Sequence, residues 1–211
     1  MLRYRIDAYD KIFTYLKDEI IPDVDKRYRT APFRILFGQS NSATCATFLM
    51  LREPTLFNAY ILASPMLGWC YDTIETRTRQ MLNSWQGESL FYFMSYGEND
   101  YREYVNDFAP RYQHLFDVLP RPGIVCRSEQ VPHQGHVPMA ALSNGLHLLF
   151  QDYFFNGKQR MGSLKSVQNH YLALSERMGF AMPVPEAVLF DLGYLRYQAR
   201  NNDEALLFFK E

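Results

Sequence analysis

The order of hydrophobic segments predicts an α/β chain, with a parallel sheet of four candidate strands interleaved with helices and an α-helical tail behind it. Short, nearly continuous apolar runs recur at "PFRILFG", "NAYILAS" (58–64), "LFYFMSYG" (90–97) and "GIVCRS" (123–128). Runs of this kind suit strands buried on both faces. Segments with apolar residues at helical spacing lie between them, and strands alternating with helices give parallel sheets with right-handed crossovers. After "FFNGKQRMGS" the spacing is helical only.

Taken in order, Ile6, Tyr9, Ile12 with Phe13, Leu16 and Ile20 mark one buried face of a first helix, which is expected to stop by Pro22. Pro32 then stands at a strand start and Gly38 at its end. Helical patterns follow at Ala43 to Leu51 and at Tyr104, Val105, Phe108, Tyr112, Leu115 and Phe116. Another opens at Pro138 and carries Met139, Leu142, Leu146, Leu149 and Phe150. In the tail, Val167, Tyr171, Leu174 and Met178 form one stripe, and the chain breaks at "MPVPE". Gly193, Ala205 and Phe209 stand at separations of 12 and 16 from the glycine, the offsets of packing positions in a tetratricopeptide repeat. The expected organisation is a sheet domain over 1–155, a helical linker over 156–184 and the start of a tetratricopeptide-like hairpin over 185–211.

Composition removes several function classes. Lys and Arg number 22 against 23 Asp and Glu, interspersed, so no electrostatic footprint points to nucleic acid or an anionic membrane surface. No apolar run reaches the roughly twenty residues needed to span a bilayer. Cys45, Cys70 and Cys126 are widely spaced and lack C-x-x-C pairing, so they suggest buried thiols and not a disulfide framework, zinc site or redox pair. Sixteen Phe and fifteen Tyr suit core and groove walls in a chain without a basic stripe.

The chemically pointed segment is "RILFGQSNSATCATFLM" (34–50). G-x-S-x-G at a strand-to-helix junction is a nucleophile elbow, which holds a serine at strained φ/ψ so that its hydroxyl projects over the sheet. Here it reads Gly38-Gln39-Ser40-Asn41-Ser42, with a serine in place of the second glycine. The preceding strand and following helix favour a nucleophile over an ordinary turn serine. A serine hydroxyl needs a histidine to take its proton and an acid to orient that histidine. The third strand ends in "SYGENDY", which offers Glu98 and Asp100; Asp100 is preferred because it lies past the turn begun at Gly97. "VPHQGHVPMAAL" places His133 and His136 in the loop beyond the fourth strand. His136, beside flexible Gly135, is preferred as the base, with His133 the alternative. His114, His147 and His170 lie in helical patterns, and no metal-ligand spacing joins them. The backbone N–H of Asn41, next after the nucleophile, is the expected oxyanion donor.

The segments "DEIIPDVDKRYRTAPFRILFGQSNSA", "LFNAYILASPMLGW", "FYFMSYGEND" and "HVPMAALSNGLHLLF" resemble the esterase D and enterochelin-esterase-like branch of the α/β-hydrolases over roughly residues 8 to 155. The likeness extends into "MPVPEAVLFDLGYLRYQARNNDEALLFFK", since some bacterial members carry tetratricopeptide repeats after the hydrolase domain. The resemblance implies a serine hydrolase of small-molecule esters without a cofactor. Ser40 would be its nucleophile, Asp100 its orienting acid and a histidine before Val-Pro its base. In the family, earlier strands and an oxyanion loop precede the nucleophile strand; the chain is therefore expected to be cut at both ends, with residues 33 to 37 forming an apolar sheet edge. A rival expectation is a non-catalytic scaffold that docks a protein partner through that edge or through the helical repeat.

Overall fold

The computed structural model describes residues 2–87, 89–153 and 162–211. The chain divides into two compact units, Met1–Leu149 and Phe150–Glu211. The first unit holds the parallel sheet, with strands in the order β1 (Ile35–Gln39), β2 (Ala59–Ala63), β3 (Leu90–Gly97) and β4 (Ile124–Val131). Register runs Gly38 to Leu62 to Met94 to Ser128, so the carboxyl ends of all four strands lie on one side of the unit.

Alternation along the strands gives the sheet two faces. Tyr60, Leu62, Tyr92, Met94 and Cys126 belong to a core built with helices α1 (Leu2–Tyr15), α3 (Asn41–Arg52), α4 (Tyr71–Asn83) and α5 (Ala109–Val118). Ile61 and Phe93 point the other way, under α6 (Ala141–Leu149). A Cβ on Gly145 would lie 2.5 Å from Ile61 Cγ2, so glycine lets α6 settle directly on the sheet. β2 and β3 are buried throughout, as their unbroken apolar runs require, whereas among the described residues β1 pairs only with β2 and its Ile35, Leu36 and Phe37 are half-buried. β1 is thus an edge of this sheet, half-buried where full exposure was expected.

Two expectations need correction. The first helix does not stop at Pro22. It passes through a π turn at Leu16–Ile20 into α2 (Ile21–Arg27), where Ile21 N–H donates to Leu16 O and Pro22 occupies a first-turn position. Proline there forgoes one helical hydrogen bond, and the wider turn before it makes room for the ring. Secondly, α4 was not among the expected helices, because its sequence YDTIETRTRQMLN is largely polar. Its buried stripe is Tyr71, Ile74, Thr78, Met81 and Leu82. Thr78 completes that stripe because its hydroxyl donates to Ile74 O and bonds Tyr112 Oη at 3.0 Å, leaving the buried polar group satisfied.

The second unit is helical: α7 (Leu164–Met178), α8 (Glu186–Gln198) and α9 (Asn202–Lys210). The stripe Val167, Tyr171, Leu174 and Met178 is buried, and Gly179 ends α7 at a φ of 71°. α8 and α9 form a hairpin in which a Cβ on Gly193 would lie 2.7 Å from the Phe209 ring, while Ala205 is buried beside them. The first residues of the expected linker, 156–161, lie outside the described residues.

Candidate active site

The site begins with the corner after β1. Ser40 is the residue between β1 and α3, with φ 52° and ψ −118°, a conformation that side-chain-bearing residues avoid. Three local features hold it there. Its N–H donates to Ala63 O at 2.8 Å, which pins the corner to the end of β2. A Cβ on Gly38 would sit 2.9 Å from Ala43 Cα and N, so only glycine allows α3 to fold back so closely. At the second small position, Ser42 Oγ accepts from Gln39 N at 2.9 Å and donates to Gln39 O at 2.8 Å. Ser42 therefore satisfies backbone groups of the edge strand that glycine would leave to water, which gives the departure from G-x-S-x-G a structural role.

From that corner a continuous hydrogen-bonded line runs inward. His136 Nε2 lies 2.8 Å from Ser40 Oγ, and His136 Nδ1 lies 2.7 Å from Asp100 Oδ1. A carboxylate only accepts hydrogen bonds, so Nδ1 carries the proton and Nε2 is the acceptor for the serine hydroxyl. The Asp100 side chain is 0% exposed, and that of His136 is 25% exposed. Oδ1 of Asp100 also accepts from Tyr101 N at 2.7 Å, and Oδ2 accepts from Ser64 Oγ. The Tyr101 ring packs on the imidazole with centroids 4.8 Å apart, shielding one side of it.

The two loop histidines are thereby separated. His133 turns outward with its side chain 94% exposed, and its N–H donates to Glu98 Oε2 at 2.9 Å. Glu98 and His133 thus brace the loop on its outer side, while Asp100 and His136 meet Ser40 on its inner side. The loop approaches β3 closely: a Cβ on Gly97 would lie 2.1 Å from Gly135 O and 2.3 Å from Gln134 O. Gly97 and Gly135 together allow the crossing that brings His136 over the sheet. Asn41 is the first residue of α3, and first-turn N–H groups have no intrahelical acceptor.

Ser64 and Tyr101 carry no motif and were not singled out from the sequence. For Ser64 the available signal was position, since "NAYILAS" ends at a strand's carboxyl terminus, where sites in such sheets gather. Burial pushes the Cys45 thiol up to about 12 and the Cys126 thiol further, so neither is a competing nucleophile. Among the described residues no group of His, Cys, Asp and Glu is arranged to hold a metal ion, and no helix is long and apolar enough to cross a membrane.

A parallel sheet carrying a strained serine at a strand-to-helix corner is the architecture of an α/β-hydrolase. The chain belongs to the Esterase family, described as "Putative esterase", which matches residues 4–110. Solved structures share the fold. An IroE-like serine hydrolase from Shewanella oneidensis aligns with a TM-score of 0.75 at 18% identity, covering 93% of this chain and 65% of that one. The BES protein from Bacillus cereus aligns at 0.58 and 16% identity, covering 67% of this chain and 55% of that one. Siderophore hydrolase EstA from Aspergillus nidulans aligns at 0.51 and 17% identity, covering 67% and 56%. The chain thus spans about two thirds or less of the length of each of these structures. No curated protein sequence matches it.

Proposed function

We propose that the chain is a serine hydrolase that cleaves carboxylic esters by way of an acyl-enzyme, with Ser40 as nucleophile, His136 as general base and acid, and Asp100 as the orienting carboxylate. The observation that carries this is the unbroken relay of 2.8 and 2.7 Å from Ser40 Oγ through both nitrogens of His136 to a fully buried carboxylate. Ser40 Oγ attacks the ester carbonyl while Nε2 removes its proton. The charge that develops on the carbonyl oxygen is stabilised by the Asn41 N–H and the positive end of α3. Collapse expels the alcohol, which takes the proton back from Nε2; water activated by the same nitrogen then releases the acid. Asp100 holds Nδ1–H so that Nε2 always faces the serine, and it stabilises the imidazolium that forms.

Family membership supports the ester as substrate class. The same relay weighs against a purely scaffolding protein, because docking gives no reason to bury a carboxylate against a histidine that faces a strained serine. Hydrolysis of p-nitrophenyl acetate by the wild type and by Ser40→Ala tests the proposal. Ser40→Ala is expected to lower turnover by about a thousandfold or more with its melting temperature unchanged. Equal turnover by the two proteins would refute it. The tetratricopeptide character of the α8–α9 hairpin belongs to the same proposal: the Gly193, Ala205 and Phe209 packing supports one repeat-like helical pair.

A further inference from the structure

We propose that Ser64 is a positioning residue for the hydrolytic relay, acting through Asp100 and the His136 loop. This rests on the roles proposed above for Ser40, His136 and Asp100, and no substrate reaches Ser64 itself, which is 0% exposed.

Ser64 follows β2 with a φ of 51°, and its N–H donates to Ser95 O at 2.8 Å. That unfavourable backbone conformation turns its hydroxyl away from the core and into the space between the β3 and β4 loops. There Oγ donates to Asp100 Oδ2 at 2.5 Å and accepts from Val137 N at 2.9 Å. One hydroxyl therefore uses its single proton to fix the acid and one of its lone pairs to fix the residue that follows the base. Val137 itself stands at a φ of 61°, so the chain leaving His136 is held in a conformation that a β-branched residue rarely adopts.

The two bonds bear on different freedoms. His136 Nδ1 and Tyr101 N both bond Oδ1, which leaves rotation about the carboxyl axis resisted mainly from the Oδ2 side. Ser64 supplies that resistance. Its bond to Val137 restrains the loop at the residue next to His136. The neighbouring turn is tied in as well: Met66 N donates to Thr44 Oγ1 at 2.8 Å, which links the segment after Ser64 to the first turn of α3. Ser64 thus connects the elements that carry the acid and the base, and Thr44 connects the same segment to the element that carries the nucleophile.

The test is the rate of Ser40 modification by a fluorophosphonate in the full 211-residue chain, compared among wild type, Ser64→Gly, Asp100→Asn and the double variant, with a melting temperature for each. Glycine removes the hydroxyl at a φ it adopts without strain, and Ser64→Ala repeats the measurement with the Cβ kept. Ser64→Gly is expected to slow inactivation at saturating probe by about tenfold to a hundredfold, with the half-saturating concentration unchanged. In the Asp100→Asn background the same substitution is expected to add less than about twofold, since residues acting through one another are not additive. A Ser64→Gly protein as fast as wild type, or one whose loss is equally large in both backgrounds, would overturn the assignment. A fast Asp100→Asn protein would instead remove the relay on which the assignment rests, and the assignment with it.

Discussion

The corners after β1 and β2 use the same backbone device for different ends. Ser40 and Ser64 stand at φ values of 52° and 51°, and each donates its N–H to the end of the next strand. After Ser40 the chain enters α3 and the hydroxyl is left half-buried, facing an imidazole. After Ser64 comes Pro65, which cannot supply an N–H, and the hydroxyl is buried against a carboxylate and a backbone amide. A strained serine at a strand end is thus an aimed hydroxyl, and under the proposed mechanism its exposure and partner are what separate the role of Ser40 from that of Ser64.

That contrast can be broken from the histidine side. His136→Ala removes the partner that distinguishes Ser40 and is expected to lower ester turnover by about a thousandfold or more. His133→Ala, altering an exposed side chain of the same loop, should leave turnover within about twofold of wild type, because exposed groups outside the relay contribute little. A smaller loss is expected from Gly97→Ala. Its Cβ would stand 2.1 Å from Gly135 O, so the loop must retreat and carry His136 with it; kcat should fall by about tenfold to a hundredfold, with KM changing less. Ser42→Gly sharpens the contrast further. It restores the G-x-S-x-G spelling but deletes both bonds to Gln39. Urea denaturation should show a loss of about 1 kcal/mol while turnover is retained.

A last effect reports the core beneath both corners. Burial raises the hydroxyls of Tyr60, Tyr92 and Tyr112 above the ordinary tyrosine value of 10.0. The unfolded chain therefore loses these protons first, and stability present below pH 10 falls as pH rises beyond it. Part of the tyrosinate absorbance should appear only together with the loss of circular dichroism in one alkaline transition; ionisation of all fifteen tyrosines in a still-folded chain would contradict this burial.

The sheet was legible because β2 and β3 are buried on both faces, which leaves short apolar runs closed by Ser64-Pro65 and by Gly97, too short for helices and bounded by turn residues. The meeting of Ser40, Asp100 and His136 was legible because G-x-S ends a short apolar run and the carboxyl ends of strands gather sites. α4 was hidden because Thr78 stands in its apolar stripe and uses a hydrogen bond where the pattern expects a hydrocarbon. Pro22 misled because a proline ends a helix only where the i−4 carbonyl is in its way, and the π turn before it removes that conflict. The choice between His133 and His136 rests on a loop fold that Gly97, a strand away in sequence, makes possible. Ser64 was invisible because hydrogen bonds to Asp100 and Val137, 36 and 73 residues further along, leave no local pattern.

The most direct measurement is to label the chain with a fluorophosphonate, digest it and map the adduct by mass. A single adduct on Ser40, retained by His133→Ala and lost in His136→Ala, is the predicted result. No adduct on the folded chain, or one elsewhere that survives His136→Ala, would contradict it.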